Sequence, residues 1–524
     1  MRSIAGRSQA GHRNASGYFL SPLEGHAFPF QMGQRARHPA PEPEDDDPGD
    51  PRGEVQDPIL RKVHAGPHSE PSAGELLKGS YDPREEADTG APPAGRMTIQ
   101  EARRRGPVGW LQLLGPGLIT GASDDDPSGI GTYSQVGSQF GYGFLWTSLL
   151  TFPMMAAVQE LCARIALHTG VGLGVALRRK FPRPLVGICI AALFLANTIN
   201  AGADLGAIAA GGSLLTRGVV QQLWLVAPAA ALILVLQVFM TYALIFKVFK
   251  WLTVGLFAYV ITGFLSHPDL RQVLVGSLVP HLELTKGSIT ALVAIFGTTI
   301  SPYLFFWQAS SEVDEMRAAG KVTEAARRGV RASELMAART DILIGMFFSN
   351  LVMYFIILTT AAVLHVDGKT GIQTAGQAAE ALAPLAGPWA FVLFAAGMIG
   401  TGLLAVPILT ASAAYAVKEF LGLKGALADK PWYRPTFYLI MAVSTVAGVG
   451  LNLLGIDPIK ALFLTAIING MVAPPLLALI VLLGSDRKIM KGRVSGRVSR
   501  SLTWATTAVM SVSAMALLVT LTQH

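Results

Sequence analysis

Long apolar segments recur along most of this chain and constrain its fold more than any other sequence feature. From Trp110 onward, runs of about 20 mainly apolar residues follow one another to the C-terminus, each long enough to cross a bilayer as a helix. These runs predict an all-α polytopic membrane protein. We count eleven spans, at approximately 111–134, 143–167, 184–210, 222–242, 246–265, 288–309, 341–364, 388–416, 433–454, 459–483 and 501–521.

The N-terminal region differs in composition from the rest of the chain. Residues 1–105 are rich in Pro, Gly and charged side chains and have no apolar periodicity, which is typical of a disordered tail. Met97 opens a basic lead into the first span, and a translation start there would leave most of this tail untranslated. We expect residues 106–485 to form a ten-helix core, and residues 486–524 to form a basic loop and an accessory eleventh helix.

Basic side chains between the spans predict the orientation of the chain in the membrane. Lys and Arg concentrate after the even-numbered spans, and such an excess marks cytoplasmic loops. The N-terminus is therefore expected in the cytoplasm and the C-terminus outside, in a plasma membrane of bacterial type. Because the net charge of +7 follows this loop pattern, we expect no nucleic-acid partner. The clusters are Arg178–Lys180, Lys247 with Lys250, Arg327–Arg331, Lys424 with Lys430, and Arg487–Arg493.

Two spans carry a proline where a membrane helix should be continuous. Pro127 has no N–H, so the carbonyl of Ser123 loses its helical hydrogen bond, and Pro302 does the same to the carbonyl of Thr298. Unwound backbone at membrane depth is tolerated only where it lines a protein-enclosed cavity. If the core consists of two five-helix halves, the first and sixth spans are equivalent. Matched interrupted helices of this kind indicate a binding site at the midplane.

Residues near the two breaks offer oxygen ligands. We predict a pocket formed by the freed carbonyls of Ser123 and Thr298, the carboxylate of Asp126 and the hydroxyl of Ser301. An unpaired Asp at the bilayer centre costs roughly 2.5–3.5 kcal/mol on insertion scales, which a bound cation would offset. An anionic pocket made of oxygen atoms suits a hard divalent cation.

The sequence at this point resembles a known family. The Gly-Pro-Gly run at residues 115–117, the Asp126–Pro127 pair and the proline of the sixth span resemble the Nramp family of divalent-metal carriers, over about residues 108–485. The resemblance implies a LeuT-type fold, which is an inverted repeat of five plus five helices. Here it would have one extra C-terminal helix, with helices 1 and 6 unwound at the midplane.

Three positions depart from the pattern of that family. Gly129 stands in place of a ligand Asn, Ser301 in place of a Met and Tyr303 in place of a His. Without the soft thioether, and with room for retained water, the site is expected to favour Mg²⁺, which usually keeps several waters. Mn²⁺ is the alternative, because oxygen ligands do not reject transition metals. The predicted metal site comprises Ser123, Asp126, Gly129, Thr298 and Ser301.

Other polar residues are expected around this site. Asp124 and Asp125 either hold the water of the ion or attract cations in a vestibule, or else they cap the unwound segment by hydrogen bonds. Tyr303 belongs to the same surroundings. Asn469 in the tenth span is a candidate ligand for a bound water.

The third span bears on proton coupling. Asn197, Asn200 and Asp204 share one helical face by their spacing. The Nramp family typically has Glu at the positions of Asn197 and Ala207, so the resemblance implies that this proton route is altered. We expect coupling to protons to be weak or absent. Alternatively, Asn197 and Asn200 only form hydrogen bonds between helices.

Together these features favour a carrier that imports a divalent cation by alternating access, with the ion as substrate, no cofactor, the lipid bilayer as its surroundings and a monomeric state. One alternative is a proton-coupled Mn²⁺/Fe²⁺ symporter. Others are a LeuT-type carrier of amino acids or organic solutes and a metal-sensing membrane receptor. The sequence carries no Walker loop, nucleophile elbow or zinc-protease motif, and we therefore do not expect an enzyme.

Overall fold

The structure, a computed structural model, describes residues 104–106, 115–239, 256–427, 429–490 and 494–522. Residues 1–103 of the predicted disordered tail lie outside these ranges, as do Lys247 and Lys250. Across the described ranges the chain forms helices and turns and contains no strand. The prediction of an all-α protein is confirmed.

The helices are numbered here in chain order. They are α1 Pro116–Asp124, α2 Pro127–Phe140, α3 Trp146–Thr169, α4 Leu173–Lys180, α5 Arg183–Leu215, α6 Gln222–Phe239, α7 Phe257–Leu265, α8 Leu270–Leu278, α9 Lys286–Thr299, α10 Pro302–Ala318, α11 Glu324–Arg327, α12 Ala332–Thr360, α13 Ala375–Ala379, α14 Ala383–Ala386, α15 Ala390–Leu421, α16 Pro435–Asn452, α17 Pro458–Gly484 and α18 Arg497–Thr522.

Within the described part of the chain, nine helical segments are long and apolar enough to cross a membrane. The first predicted span is divided into the short helices α1 and α2. The fifth is represented by α7, which follows the gap at residues 240–255. The count of eleven spans therefore stays a prediction. Several helices run beyond their predicted spans, for example α10 to Ala318, because hydropathy marks only the apolar part of a helix.

The first and sixth spans are interrupted in the same way. Helix α1 ends at Asp124, two residues follow, and Pro127 opens α2. Helix α9 ends at Thr299, two residues follow, and Pro302 opens α10. Proline suits the first turn of a helix, where its missing N–H has no partner to lose. The predicted unwinding of both spans is confirmed, with the same register in each half of the chain.

Ion pairs join three of the loops that follow even-numbered spans, those after spans 2, 6 and 10. Arg179, after α3, binds Glu324, after α10, at 2.7 Å, and Lys180 binds Asp486, after α17, at 2.9 Å. Hydrogen bonding by Arg179, supported by Arg328, holds the pKa of Glu324 at about 2. These loops therefore lie at one end of the helix bundle, as the distribution of basic residues predicts.

Helix α1 packs unusually closely against α12. A Cβ added at Gly117 would lie 2.5 Å from the backbone nitrogen of Ile342, and one at Gly121 would lie 2.3 Å from the carbonyl oxygen of Gly345. Only glycine permits this approach of two backbones. The carboxylate of Asp341 on α12 also accepts hydrogen bonds from the N-terminal amides of α1, which ties this end of α1 to α12.

Helix α5 contacts many of the other helices, including the one that follows the first break. It packs against α6, α15, α16 and α17 and also contacts α2. Its backbone approaches α16 closely, because a Cβ at Gly202 would lie 2.9 Å from the Cα of Gly448. On the outer helix faces, large apolar side chains such as Ile188, Leu195 and Leu439 are exposed. A surface of this kind suits lipid.

Candidate functional site

Asp126 lies at the first break and caps the helix that follows it. Its Oδ1 accepts hydrogen bonds from the hydroxyl of Ser128 at 2.6 Å and from the backbone N–H of Gly129 at 2.8 Å. A carboxylate at the N-terminus of a helix is favoured by the helix dipole and by free N–H groups. The side chain is almost completely buried, at 1% exposure. The break thus holds one carboxylate in a defined orientation.

The other oxygen of Asp126 faces α5. The amide nitrogen of Asn200 donates a hydrogen bond to Oδ2 at 3.0 Å. Asn200 is fully buried, and its carbonyl oxygen has no hydrogen-bond partner among the residues that the structure describes. Asn200 therefore forms a hydrogen bond between two helices, the kind of bond named in the alternative prediction. Its partner is the carboxylate that caps α2.

Two contacts join the first break to the second. The hydroxyls of Ser128 and Thr298 lie 3.2 Å apart. The hydroxyl of Tyr303, on α10, donates to the carbonyl of Ser123 at 2.6 Å. This is the carbonyl that Pro127 deprives of its helical partner. The structure therefore brings Ser123, Asp126, Thr298 and Tyr303 into one locus, as the two-break hypothesis requires.

Ser301 lies at the second break and bonds within its own segment. Its hydroxyl donates to the carbonyls of Thr298, at 2.6 Å, and Gly297, at 2.9 Å. The carbonyl of Thr298, which Pro302 leaves without an N–H partner, is thus satisfied by a neighbouring hydroxyl. A carbonyl oxygen has two lone pairs and can accept a second interaction. The role of Ser301 and Thr298 as ligands stays a prediction.

Asp124 and Asp125 are directed towards α12. The hydroxyl of Ser349 lies 2.6 Å from an oxygen of Asp124 and 3.3 Å from an oxygen of Asp125. Asp126 is instead bonded to Ser128, Gly129 and α5. Asp124 and Asp125 thus share one partner, Ser349, whereas Asp126 has others. Both the cap and the vestibule role of these two residues stay predictions.

The positions of the altered proton route are buried in α5. Asn197 donates its amide N–H to the carbonyl of Leu409 on α15 at 3.3 Å, which is an interhelical hydrogen bond. Asp204 is fully buried. Neither of its oxygens meets a hydrogen-bond partner within the described ranges. Ala207, one turn on, is also fully buried and offers no polar atom.

Two other predicted positions lie in the buried interior. A Cβ added at Gly129 would lie 3.4 Å from the carbonyl oxygen of Asp124 and 3.5 Å from the hydroxyl of Thr298, so this glycine borders both breaks. Asn469 on α17 is 1% exposed, and neither polar atom of its amide is bonded within the part of the chain described. Its predicted role as a water ligand is untested.

The donor set at the breaks is made of oxygen atoms. No group of three or more His, Cys, Asp and Glu side chains suitable for a metal occurs among the residues with described structure. One carboxylate, from Asp126, stands among the hydroxyls of Ser128, Thr298 and Tyr303. The C-terminal ends of α1 and α9 also meet here, and the carbonyl end of a helix carries partial negative charge. This arrangement can attract a cation.

Two residues at the locus were not predicted from the sequence. Ser128 follows the capping Asp126 by two residues, a spacing within side-chain reach that could have been used as a local signal. Ser349 lies 225 residues after Asp124, and nothing in the local sequence could have paired them.

Similarity to known proteins agrees with this geometry. The sequence profile of the Nramp family ("Natural resistance-associated macrophage protein-like") matches residues 117–520. The chain is 26% identical to the "Divalent metal cation transporter MntH" of Klebsiella pneumoniae, over 76% of this chain and 92% of that protein.

Solved structures show the same fold. A variant of the manganese transporter of Eremococcus coleocola matches with a TM-score of 0.63 at 18% identity, over 78% of this chain and 87% of that one. The nucleobase-cation-symport-1 family transporter Mhp1 matches with a TM-score of 0.51 at 17% identity, over 82% and 93% of the two chains. The LeuT-type fold is thereby confirmed. With a family match over most of its length, the chain belongs to the Nramp family.

Proposed function

We propose that this protein carries a divalent metal cation across the membrane by alternating access, with Asp126 as the charged ligand. As a member of the Nramp family it is an integral membrane transporter and not an enzyme. The observation that carries the proposal is the buried carboxylate of Asp126 at the junction of two interrupted helices. Interrupted helices at equivalent positions are how carriers of this fold build an ion site.

The two breaks also suit alternating access. Helix α1 is tied to α12 by Asp341 and by glycine contacts, whereas α2 begins afresh after two non-helical residues. Backbone without helical hydrogen bonds can absorb changes of φ and ψ, as hinge residues do. The two halves of an interrupted span can therefore change their relative orientation and open the site to one side at a time.

We propose Mg²⁺ as the favoured substrate, with Mn²⁺ also accepted. The support is the donor set at the two breaks, in which Asp126 supplies a carboxylate and the other predicted ligands are neutral oxygens. Ser301 supplies a hydroxyl where a thioether would favour softer metals. Gly129 has no side chain and so supplies no ligand beside Asp126, which leaves coordination positions of a bound ion to the waters that Mg²⁺ retains.

Manganese transport is the second candidate, and the relatives favour it. The similar solved structure is named a manganese transporter, and the bacterial relative is named a divalent metal cation transporter. A single carboxylate with neutral oxygens also binds Mn²⁺, which shares the preference of Mg²⁺ for oxygen ligands. The geometry is compatible with both ions, and flux measurements must separate them.

The selectivity proposal predicts the effect of a thioether at the second break. Replacing Ser301 with Met should raise uptake of Mn²⁺ and Cd²⁺ relative to Mg²⁺ by about tenfold, because a soft ligand contributes to the softer ions only. Uptake of each metal into proteoliposomes, with wild-type protein in parallel, measures this ratio. Ser511→Met on α18, where the hydroxyl bonds only to the carbonyl of Thr507 in its own helix, serves as the control for the added side chain. An unchanged Mn²⁺-to-Mg²⁺ ratio for S301M would contradict the selectivity argument.

We further propose that proton coupling is weak or absent. Its support is the neutral character of Asn197 and Ala207 on α5. Inward metal flux should then leave the pH inside proteoliposomes nearly constant. The membrane potential would supply a driving force for uptake of about 2.3 kcal/mol per charge per 100 mV. A pH-sensitive dye in the lumen gives the measurement. Robust acidification driven by the metal gradient would instead show that transport is coupled to protons. Asp204, a buried carboxylate on the same helix, would then be the candidate proton carrier.

The topology proposed from the sequence completes this description. The end of the bundle that carries Arg179, Lys180 and Glu324 is assigned to the cytoplasm, following the excess of basic residues. The N-terminus then lies inside and the C-terminus outside. We expect the protein to act as a monomer.

A further inference from the structure

We propose that Asn200 of α5 is a ligand of the transported cation and contributes its amide oxygen beside the carboxylate of Asp126. This inference rests on the proposed function and adds a third element, α5, to a site otherwise built from the two interrupted spans. It also adds to the site a side-chain amide oxygen, a kind of ligand that the two breaks do not supply.

The first support is the place of Asn200. Its amide nitrogen is 3.0 Å from Oδ2 of Asp126, the oxygen that the α2 cap leaves free. The cap occupies Oδ1 through Ser128 and Gly129. A cation bound by Asp126 through Oδ2 would therefore meet the end of the Asn200 side chain.

The second support is an unsatisfied polar atom. Asn200 is fully buried, and its carbonyl oxygen lacks a hydrogen-bond partner among the described residues. Buried polar atoms are nearly always bonded, and an exception calls for a functional explanation. A cation is a partner that an amide oxygen accepts readily, as it does in oxygen-ligated divalent sites.

The amide can serve both states by turning about its last torsion. The oxygen and nitrogen of an Asn are attached to the same carbon, and this torsion is broad and roughly two-fold. Without an ion, the nitrogen donates to Asp126 and offsets its charge. With an ion on Asp126, rotation by about half a turn directs the oxygen to the ion. Loss of the N–H bond to Asp126 is then compensated by the metal.

Gly129 gives the proposal its structural context. Gly129, one turn into α2, has no side chain that could lie beside Asp126. A Cβ at this position would face the breaks, 3.5 Å from the hydroxyl of Thr298. A Cβ at this position would lie 3.2 Å from the ring of Tyr133, which must yield by a few tenths of an ångström. An amide delivered from position 129 could thus stand in for one delivered from α5.

The test measures binding of Mn²⁺ and Mg²⁺ alone to the purified full-length protein by calorimetry, for variants at position 200. A ligand role predicts that Asn200→Ala weakens binding by about tenfold or more. It also predicts that Asn200→Asp binds as tightly as wild type or more tightly, because a carboxylate keeps an oxygen ligand. Adding Gly129→Asn to Asn200→Ala should recover part of the lost affinity. Asn452→Ala is the control and should bind metal like wild type. It removes a side-chain amide of α16 that bonds to the carbonyl of Gly202 on α5, the helix that carries Asn200.

The outcomes separate this inference from the proposed function. If Asn200 only donated to Asp126, Asn200→Asp would repel that carboxylate and weaken binding as much as Asn200→Ala, and the ligand role would be overturned. Normal binding by Asn200→Ala would overturn it as well. In both cases Asp126→Ala still has to abolish binding if the protein carries divalent cations at this site. Full binding by Asp126→Ala would instead remove the proposed function itself. Thermal melting of each variant verifies that the fold is intact.

Discussion

Replacement of Asp126 by alanine is expected to abolish divalent-metal uptake. The carboxylate is the charged group at the junction of the two interrupted spans, and it is 1% exposed. Removing one partner of a buried charge pair costs about 3–5 kcal/mol. At 1.4 kcal/mol for each factor of ten, an ion that loses this partner should bind about 100-fold more weakly, or worse. Uptake of Mg²⁺ and Mn²⁺ into proteoliposomes, measured over a range of concentrations, gives the change.

The adjacent residue offers a matched control for this experiment. Asp125 is also buried, but its carboxylate contacts Ser349 on α12 rather than the cap of α2. Asp125→Ala should therefore reduce uptake much less than Asp126→Ala. Equal losses in the two variants would indicate a general requirement for acidic residues in this segment. Normal uptake by the Asp126 variant would show that the site is misassigned.

The second large effect is expected at Asp341, which anchors the start of α1. Its two carboxylate oxygens accept hydrogen bonds from the backbone N–H groups of Gly115, Gly117 and Leu118, at 2.8 to 3.0 Å. The first N–H groups of a helix have no partner within that helix. Asp341→Ala removes the hydrogen-bond acceptor of these N–H groups at a largely buried position. The variant should lower the free energy of unfolding by about 3–5 kcal/mol, because each hydrogen bond to a charged group stabilises the folded state.

Thermal melting of the purified protein tests this expectation, and hydrogen exchange locates the change. The amides of residues 115–119 should lose protection first, while those of α5 keep theirs. Thr340→Ala, one residue earlier on α12, removes an exposed hydroxyl that bonds only within its own helix and should change stability by less than about 0.5 kcal/mol. An Asp341→Ala variant that melts like wild type would show that α1 is held by its glycine contacts alone.

Much of the fold could be predicted from the sequence because the relevant effects are local. A run of about 20 apolar residues spans a bilayer whatever its neighbours, and hydropathy therefore located the long helices. The interruptions followed from Pro127 and Pro302, since a missing N–H acts on the carbonyl four residues earlier in any context. The ends of the helices were less accessible, because helices such as α10 continue through polar residues beyond the apolar span.

The candidate site was predicted in part. Asp126, Ser123 and Thr298 were identified by their distance from a proline, and the structure brings them to one locus. The partners of the three consecutive carboxylates could not be predicted in this way. Asp126 meets Asn200 from 74 residues away, and Asp124 meets Ser349 from 225 residues away. Each pairing depends on how one helix is rotated against another.

The sequence by itself determined that this protein is a bundle of membrane helices with two equivalent proline breaks, since apolar length and a missing N–H are properties of the chain alone. The tertiary structure decided which groups surround the breaks. Close approach through glycines, such as Gly121 against Gly345 and Gly202 against Gly448, sets the helix rotations. Those rotations direct Asn200 to Asp126 and Ser349 to Asp124, because a helix presents a given side chain to only one neighbour.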